Sequence, residues 1–132
     1  MCAFFKKLIT RLPRRALTNI DIVKFTHDIP YFRGVYMRNT LPTKSKNIEC
    51  AILNLDSSEN PGTHWVAYCK INNYCEYFDS YGDLKPPIEL IKYLTTKTDI
   101  YYNYINYQKN NPFNCGHLCI KFLKKFWIKH LK

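Results

Sequence analysis

The sequence predicts an α+β domain, a sheet of about four or five strands with helices packed on it. Three observations carry this. Helix-periodic segments alternate with strand-like ones in the order helix, strands, helix, strand, helix. Apolar and alternating runs of strand length crowd the middle of the chain, between residues 49 and 79. The 132 residues, with 11 Tyr, 8 Phe, 2 Trp and only 4 Gly, suit one domain with a real core and exclude a disordered or fibrous chain.

Residues 1–17 form a basic amphipathic segment within this single domain, 1–132. Phe4, Phe5, Leu8, Ile9 and Leu12 share a helical face, with Lys6, Lys7, Arg11, Arg14 and Arg15 around it. A surface helix, a transit peptide, a membrane-surface helix and a nuclear-targeting patch all fit that pattern. "TNIDIVKFTHDI" (18–29) predicts a helix with Thr18 as N-cap, Asp21 completing a capping box and Pro30 ending it. "FRGVYM" (32–37) is a short strand, and Pro42 closes a loop.

"ECAILNL" (49–55) is a continuous apolar run suited to a central strand. "HWVAYCKI" (64–71) and "YCEYFD" (74–79) flank Asn72-Asn73, whose side chains tolerate positive φ, and so predict a hairpin. "PPIELIKYL" (86–94) begins a helix with proline in its first turn. "IYYNYINY" (100–107) is expected to be a further strand, its tyrosines accounted for by strand packing. From Cys115 on, "CGHLCIKFLKKFWIKHL" is a helix with Leu118, Cys119, Phe122, Leu123 and Phe126 as its apolar stripe.

The net charge of +10 is concentrated at the ends: residues 1–20 hold five Lys/Arg and no acid, and residues 100–132 hold six Lys and no acid. Such ends fit a nucleic acid or another anionic surface. They equally fit a wetted helix face formed by Lys121, Lys124, Lys125 and Lys129. No apolar run approaches the roughly 18 residues of a transmembrane segment. With no signal peptide, an intracellular, reducing compartment is expected, and the six cysteines are expected to be thiols, with Cys50, Cys69 and Cys119 as core residues.

"NPFNCGHLCIKFL" (111–123) places a cysteine where a polar loop meets an apolar helix. There, outward-pointing N–H groups and the helix dipole favour negative charge. Beside an imidazolium, such a thiol falls from about 8.5 into the range of roughly 3.5 to 7.5. A cysteine nucleophile further needs a base, a group orienting the base and donors for the oxyanion. His64 opens a strand, where it can reach into a cleft. In a hairpin centred on Asn72-Asn73, residues whose numbers sum to 145 lie opposite, so His64 faces position 81, two residues beyond Asp79. A carboxylate beside the imidazole follows, to fix its tautomer and hold its charge. Gln108, seven residues before Cys115, offers an amide to the oxyanion, joined by the Cys115 N–H. Gly116 leaves room for substrate at the thiol.

"GTHWVAY", "YFDSYG", Gln108 and "NCGHLCIKFL" together closely resemble the adenovirus-type cysteine proteases and the related proteases that cleave ubiquitin-like modifiers, over about residues 49–126. The resemblance implies a papain-like fold with a central mixed sheet and a chain order rearranged relative to papain. It implies His64 as general base, Asp79 as its orienter, Gln108 in the oxyanion hole, Cys115 as nucleophile and Trp65 walling a narrow slot. The implied activity is an endopeptidase cleaving after small residues, at Gly-X or Gly-Gly, in viral precursor-type or ubiquitin-like proteins. No cofactor is implied beyond stimulation by DNA or a peptide. The adenoviral enzymes are helped by DNA and work in nuclei and virions, which the basic termini fit. Typical members continue through further helices after the nucleophile helix, and no cofactor-binding cysteine of the adenoviral enzymes matches a position here.

A zinc site would draw on Cys69, Cys75, Cys115, Cys119 and His117, but no C-x2-C pair is present. His117 projects about 200° away from Cys115 along a helix and is expected at the surface or behind the site. The alternatives to an active enzyme are a nucleic-acid-binding module that stacks bases on the tyrosines of 101–107, and an inactive protease homologue serving as a binding module.

Overall fold

The computed structural model describes residues 12–59, 64–108 and 113–131. The apolar face expected before Leu12 and the loop residues 60–63 and 109–112 lie outside these. The elements run α1 (Asn19–Thr26), β1 (Phe32–Met37), β2 (Ile48–Asn54), β3 (Trp65–Ile71), β4 (Tyr74–Asp79), α2 (Ile88–Leu94), β5 (Asp99–Tyr102) and α3 (Cys115–His130). Among the described residues this is the expected α+β architecture, a five-stranded mixed sheet flanked by three helices. Strand order follows chain order. β2, β3 and β4 are antiparallel, and β1 and β5 lie parallel to their neighbours at the two edges.

Strand β2 is buried from Glu49 to Asn54 because both faces of the sheet are covered. Cys50 and Ile52 enter the core shared with Trp65, Ala67, Cys119 and Leu123, while Ala51 and Leu53 pack with Val66, Tyr68, Leu90 and Leu94 on the α2 side. The β3–β4 hairpin has the register that its turn dictates, with Val66 opposite Asp79, and Asn72 takes φ 53° in the turn. Thr18 and Asp21 form the reciprocal capping box of α1: Asp21 N–H donates to Thr18 Oγ1 at 3.2 Å, and Thr18 N–H donates to Asp21 Oδ2 at 2.9 Å. The helix stops at Thr26, before Pro30. Thr26 Oγ1 donates back to the Ile22 carbonyl at 2.7 Å, and Ile29 N–H closes a turn on the Thr26 carbonyl.

Two expectations are corrected. The strand predicted over 100–107 ends at Tyr102, because the next residue pairs through its side chain. Asn103 Oδ1 accepts the Asp79 N–H at 3.0 Å, and Asn103 Nδ2 donates to the Asp79 carbonyl at 2.7 Å. Tyr104, Ile105 and Tyr107 beyond it are exposed and not packed in a strand. Lys124, expected on the wet face of α3, is buried, with Nζ 2.6 Å from Asp28 Oδ2. The buried arc of α3 extends beyond the predicted stripe to Ile120 and Trp127, while Leu118 and Phe122 of that stripe are only partly buried. Cys50, Cys69, Cys75, Cys115 and Cys119 are free thiols. Among the described residues, no helix is long and apolar enough to cross a membrane.

Candidate active site

Cys115 is the first residue of α3, after N-cap Asn114, and His64 immediately precedes β3. The hairpin register sets His64 opposite Tyr81, and the two rings stack with centroids 4.6 Å apart. Asp79, the last residue of β4, then lies within reach: His64 Nε2–H donates to Asp79 Oδ1 at 2.8 Å. The same carboxylate oxygen accepts the Tyr81 N–H at 3.0 Å. With Nε2 committed to the carboxylate, Nδ1 is the nitrogen left to face the Cys115 thiol, and the two groups are close enough that each shifts the other's titration. The structure thus brings Cys115, His64 and Asp79 together from the start of α3, the residue before β3 and the end of β4.

The electrostatics of the pair run in opposite directions. Burial pushes the Cys115 thiol up, but the hydrogen bond from His64, the backbone N–H of Trp65, the imidazolium charge and the Gly116 N–H together bring it below its ordinary value. Burial also opposes the charged imidazole. The hydrogen bonds to Asp79 and Cys115 and their negative charges outweigh that and raise His64 to about 9. Cys119, one turn further along α3, shows what burial does without such partners. Its thiol lies well above the usual value, raised further by Cys115 and Asp79. One helix therefore carries one thiol prepared to ionise and one that is not.

Gln108 is buried, and its placement depends on residues that the sequence pattern did not single out. The Ser80 hydroxyl donates to Gln108 Oε1, Tyr107 N–H donates to the Ser80 carbonyl at 2.8 Å, and Asn103 holds the Asp79 backbone from both sides. Gly82 takes φ +76° and lies so close to this segment that a Cβ there would sit 2.4 Å from the Ile105 carbonyl oxygen. The segment 103–108 is thus seated on the turn that follows Asp79. Ser80 could have been suspected from the "YFDSYG" motif; nothing local marked Asn103.

Trp65 and Gly116 sit against a residue that sequence reasoning did not place. Trp65 is buried and its Nε1–H donates to the Leu17 carbonyl at 2.8 Å. The room expected at Gly116 for substrate is taken by the same leucine: a Cβ on Gly116 would lie 3.1 Å from Leu17 Cβ and 3.2 Å from Cδ1. His117, expected at the surface or behind the site, is buried, and its Nε2–H donates to the Pro13 carbonyl at 2.6 Å. Residues 13–17 therefore bind over the first turn of α3. Among the described residues, no group of three or more His, Cys, Asp or Glu is arranged to hold a metal ion. No protein-family model matches the chain, and no curated protein matches it.

Proposed function

We propose that the protein is a cysteine endopeptidase, a short member of the adenovirus-type and ubiquitin-like-modifier protease superfamily with its papain-like fold. The observation that carries this is the convergence of Cys115, at the start of α3, with a His64 that is hydrogen-bonded to Asp79 and electrostatically coupled to the thiol. In the reaction, the Cys115 thiolate attacks the scissile carbonyl carbon, and the carbonyl π pair moves to oxygen. The Cys115 N–H and the Gln108 amide stabilise that oxyanion. As the C–N bond breaks, His64 gives its Nδ1 proton to the leaving amine, and a thioester remains on Cys115. His64 then removes a proton from water, which hydrolyses the thioester. Asp79 holds the Nε2–H tautomer throughout and stabilises the imidazolium.

The substrate proposed is a protein with a small residue, glycine above all, before the scissile bond. Leu17, which fills the space at Gly116 and whose carbonyl holds the Trp65 indole, supports a site with little room beside the thiol for larger side chains. The test combines labelling with turnover. Iodoacetamide at pH 6 is expected to modify Cys115 much faster than Cys119, and His64→Ala is expected to slow that modification. Cys115→Ala is expected to abolish cleavage of a Gly-Gly or Gly-X reporter peptide. Equal labelling of the two thiols, or cleavage surviving Cys115→Ala, would remove the proposal.

A further inference from the structure

Helix α3 packs over β3 and, less closely, β4, with no comparable contact to the edge strand β5. On that side of the sheet an open groove of about 590 Å³ runs between α3 and the β4–β5 edge. Its sheet side carries Tyr74, Phe78 and Tyr101, and its helix side carries Lys121, Lys125 and Lys129. The upper end is lined by Phe78, Tyr107 and Leu118. Phe78 precedes Asp79, Tyr107 precedes Gln108, and Leu118 follows Cys115 by about one helical turn, so this end of the groove is built by chain neighbours of three candidate-site residues.

None of the three lysines forms an ion pair among the described residues. The one acidic group lining the groove, Glu76, already receives the Tyr74 hydroxyl and lies 3.4 Å from His130 Nε2. The helix wall is therefore a row of positive charge without a counter-charge of its own. Its repeat is informative. Lysines four residues apart recur about every 6 Å along a helix, and alternate side chains of an extended peptide recur about every 7 Å. The row from Lys121 to Lys129 spans about 12 Å. That is roughly four residues of extended chain at about 3.3 Å each.

We propose that this groove receives an extended acidic segment flanking the scissile bond of the substrate, with carboxylates at alternate positions on Lys121, Lys125 and Lys129 and apolar side chains between them on the tyrosine and phenylalanine rings. The proposal rests on the peptidase function above and narrows its substrate class. Charge complementarity and continuity with the site select this occupant.

The test uses reporters with one Gly-Gly core and a five-residue flank of alternating Glu and Leu, or of Gln and Leu, placed on either side of the scissile bond. With one of the two placements, the acidic flank is expected to raise kcat/KM about tenfold at low salt, the scale of three exposed ion pairs. The gain is expected mainly in KM and should shrink as salt rises. The double variant Lys125→Glu, Lys129→Glu should lose the preference, with unchanged alkylation of Cys115 and unchanged cleavage of the Gln-flanked reporter. Equal cleavage of acidic and neutral reporters, or a preference that survives charge reversal, overturns the groove proposal and leaves the peptidase standing. If Cys115 alkylates selectively but no reporter is cut, the peptidase function fails, and the groove proposal fails with it. A single-stranded oligothymidylate that binds the wild type but not the double variant, with no gain from the acidic flank, assigns the groove to nucleic acid instead.

Discussion

A thiolate at position 115 and an imidazolium at position 64 coexist only between two pH limits. The lower limit is the depressed thiol pKa, and the upper is the His64 pKa of about 9. Cleavage is therefore expected to rise as pH climbs through the thiol pKa and to fall as it passes about 9, whereas alkylation, which needs only the thiolate, should not fall there. The sign for stability follows from the same shift. His64 is raised on folding from 6.5, so its contribution is fully present below pH 6.5 and is lost as pH rises through about 9. Unfolding of wild type and His64→Gln across that range checks this, and parallel pH profiles would contradict it. Asp79→Asn keeps the shape of the side chain but no longer enforces the Nε2–H tautomer. It should lower kcat by roughly 10²–10⁴-fold, with Cys115 and Gln108 still in place. The sum-of-145 register already set His64 beside Tyr81 and Asp79, because a two-residue turn leaves an antiparallel pair little freedom. The role of Ser80 at Gln108 was not legible, since those two residues are 28 positions apart.

At the scale of elements, the start of α3 is fixed by what lies on it. Gly116→Ala adds a methyl group 3.1 Å from Leu17 Cβ, and Leu17 is held by its carbonyl bond to Trp65. Such overpacking costs about 1–3 kcal/mol, set against the intrinsic gain of alanine over glycine in a helix. The cleaner expectation is a coupling. Gly116→Ala should be less tolerated in the wild type than in a Leu17→Ala background, by about 1 kcal/mol in a double-mutant cycle of urea unfolding. Strict additivity would mean that Leu17 yields freely. The start of α1, the hairpin and β1 were legible because caps, turns and short apolar runs are local signals, whereas α1 ends at Thr26, short of the expected Ile29. The end of β5 was not legible. Its sequence alternates through Tyr107, but the side chain of Asn103 takes up the Asp79 backbone groups that a longer strand would have paired.

For the molecule as a whole, the α2 side of the sheet is organised around a buried acid. Glu49 is fully buried and accepts from Tyr68 Oη at 2.6 Å, Tyr93 Oη at 2.8 Å and the Lys46 N–H at 2.6 Å, with Arg33 Nη1 at 3.7 Å. These partners come from β1, the loop before β2, β3 and α2, so one carboxylate ties four parts of the chain. Glu49→Ala should cost about 3–5 kcal/mol, because it strands several buried donors and a cation together. Tyr93→Phe, which removes one donor, should cost only about 1 kcal/mol. Similar unfolding midpoints for the two variants would deny Glu49 this role. A glutamate inside the apolar run "ECAILNL" looks from its sequence like a strand end reaching water, because the donors that satisfy it lie as far as 44 residues away.

What the chain determined by itself is whatever acts over a few residues: the capping box at Thr18, the turn at Asn72-Asn73, the register it imposes and the placing of Cys115 at a helix start. Each is a short-range balance of backbone donors, φ preference and apolar spacing, so neighbours in sequence suffice. Only the tertiary structure decided that Leu17 fills the space at Gly116, that Lys124 is buried against Asp28 and that a lysine-walled groove opens beside β5. Periodicity says which face of an element is apolar. What meets that face depends on surfaces brought together from distant parts of the chain.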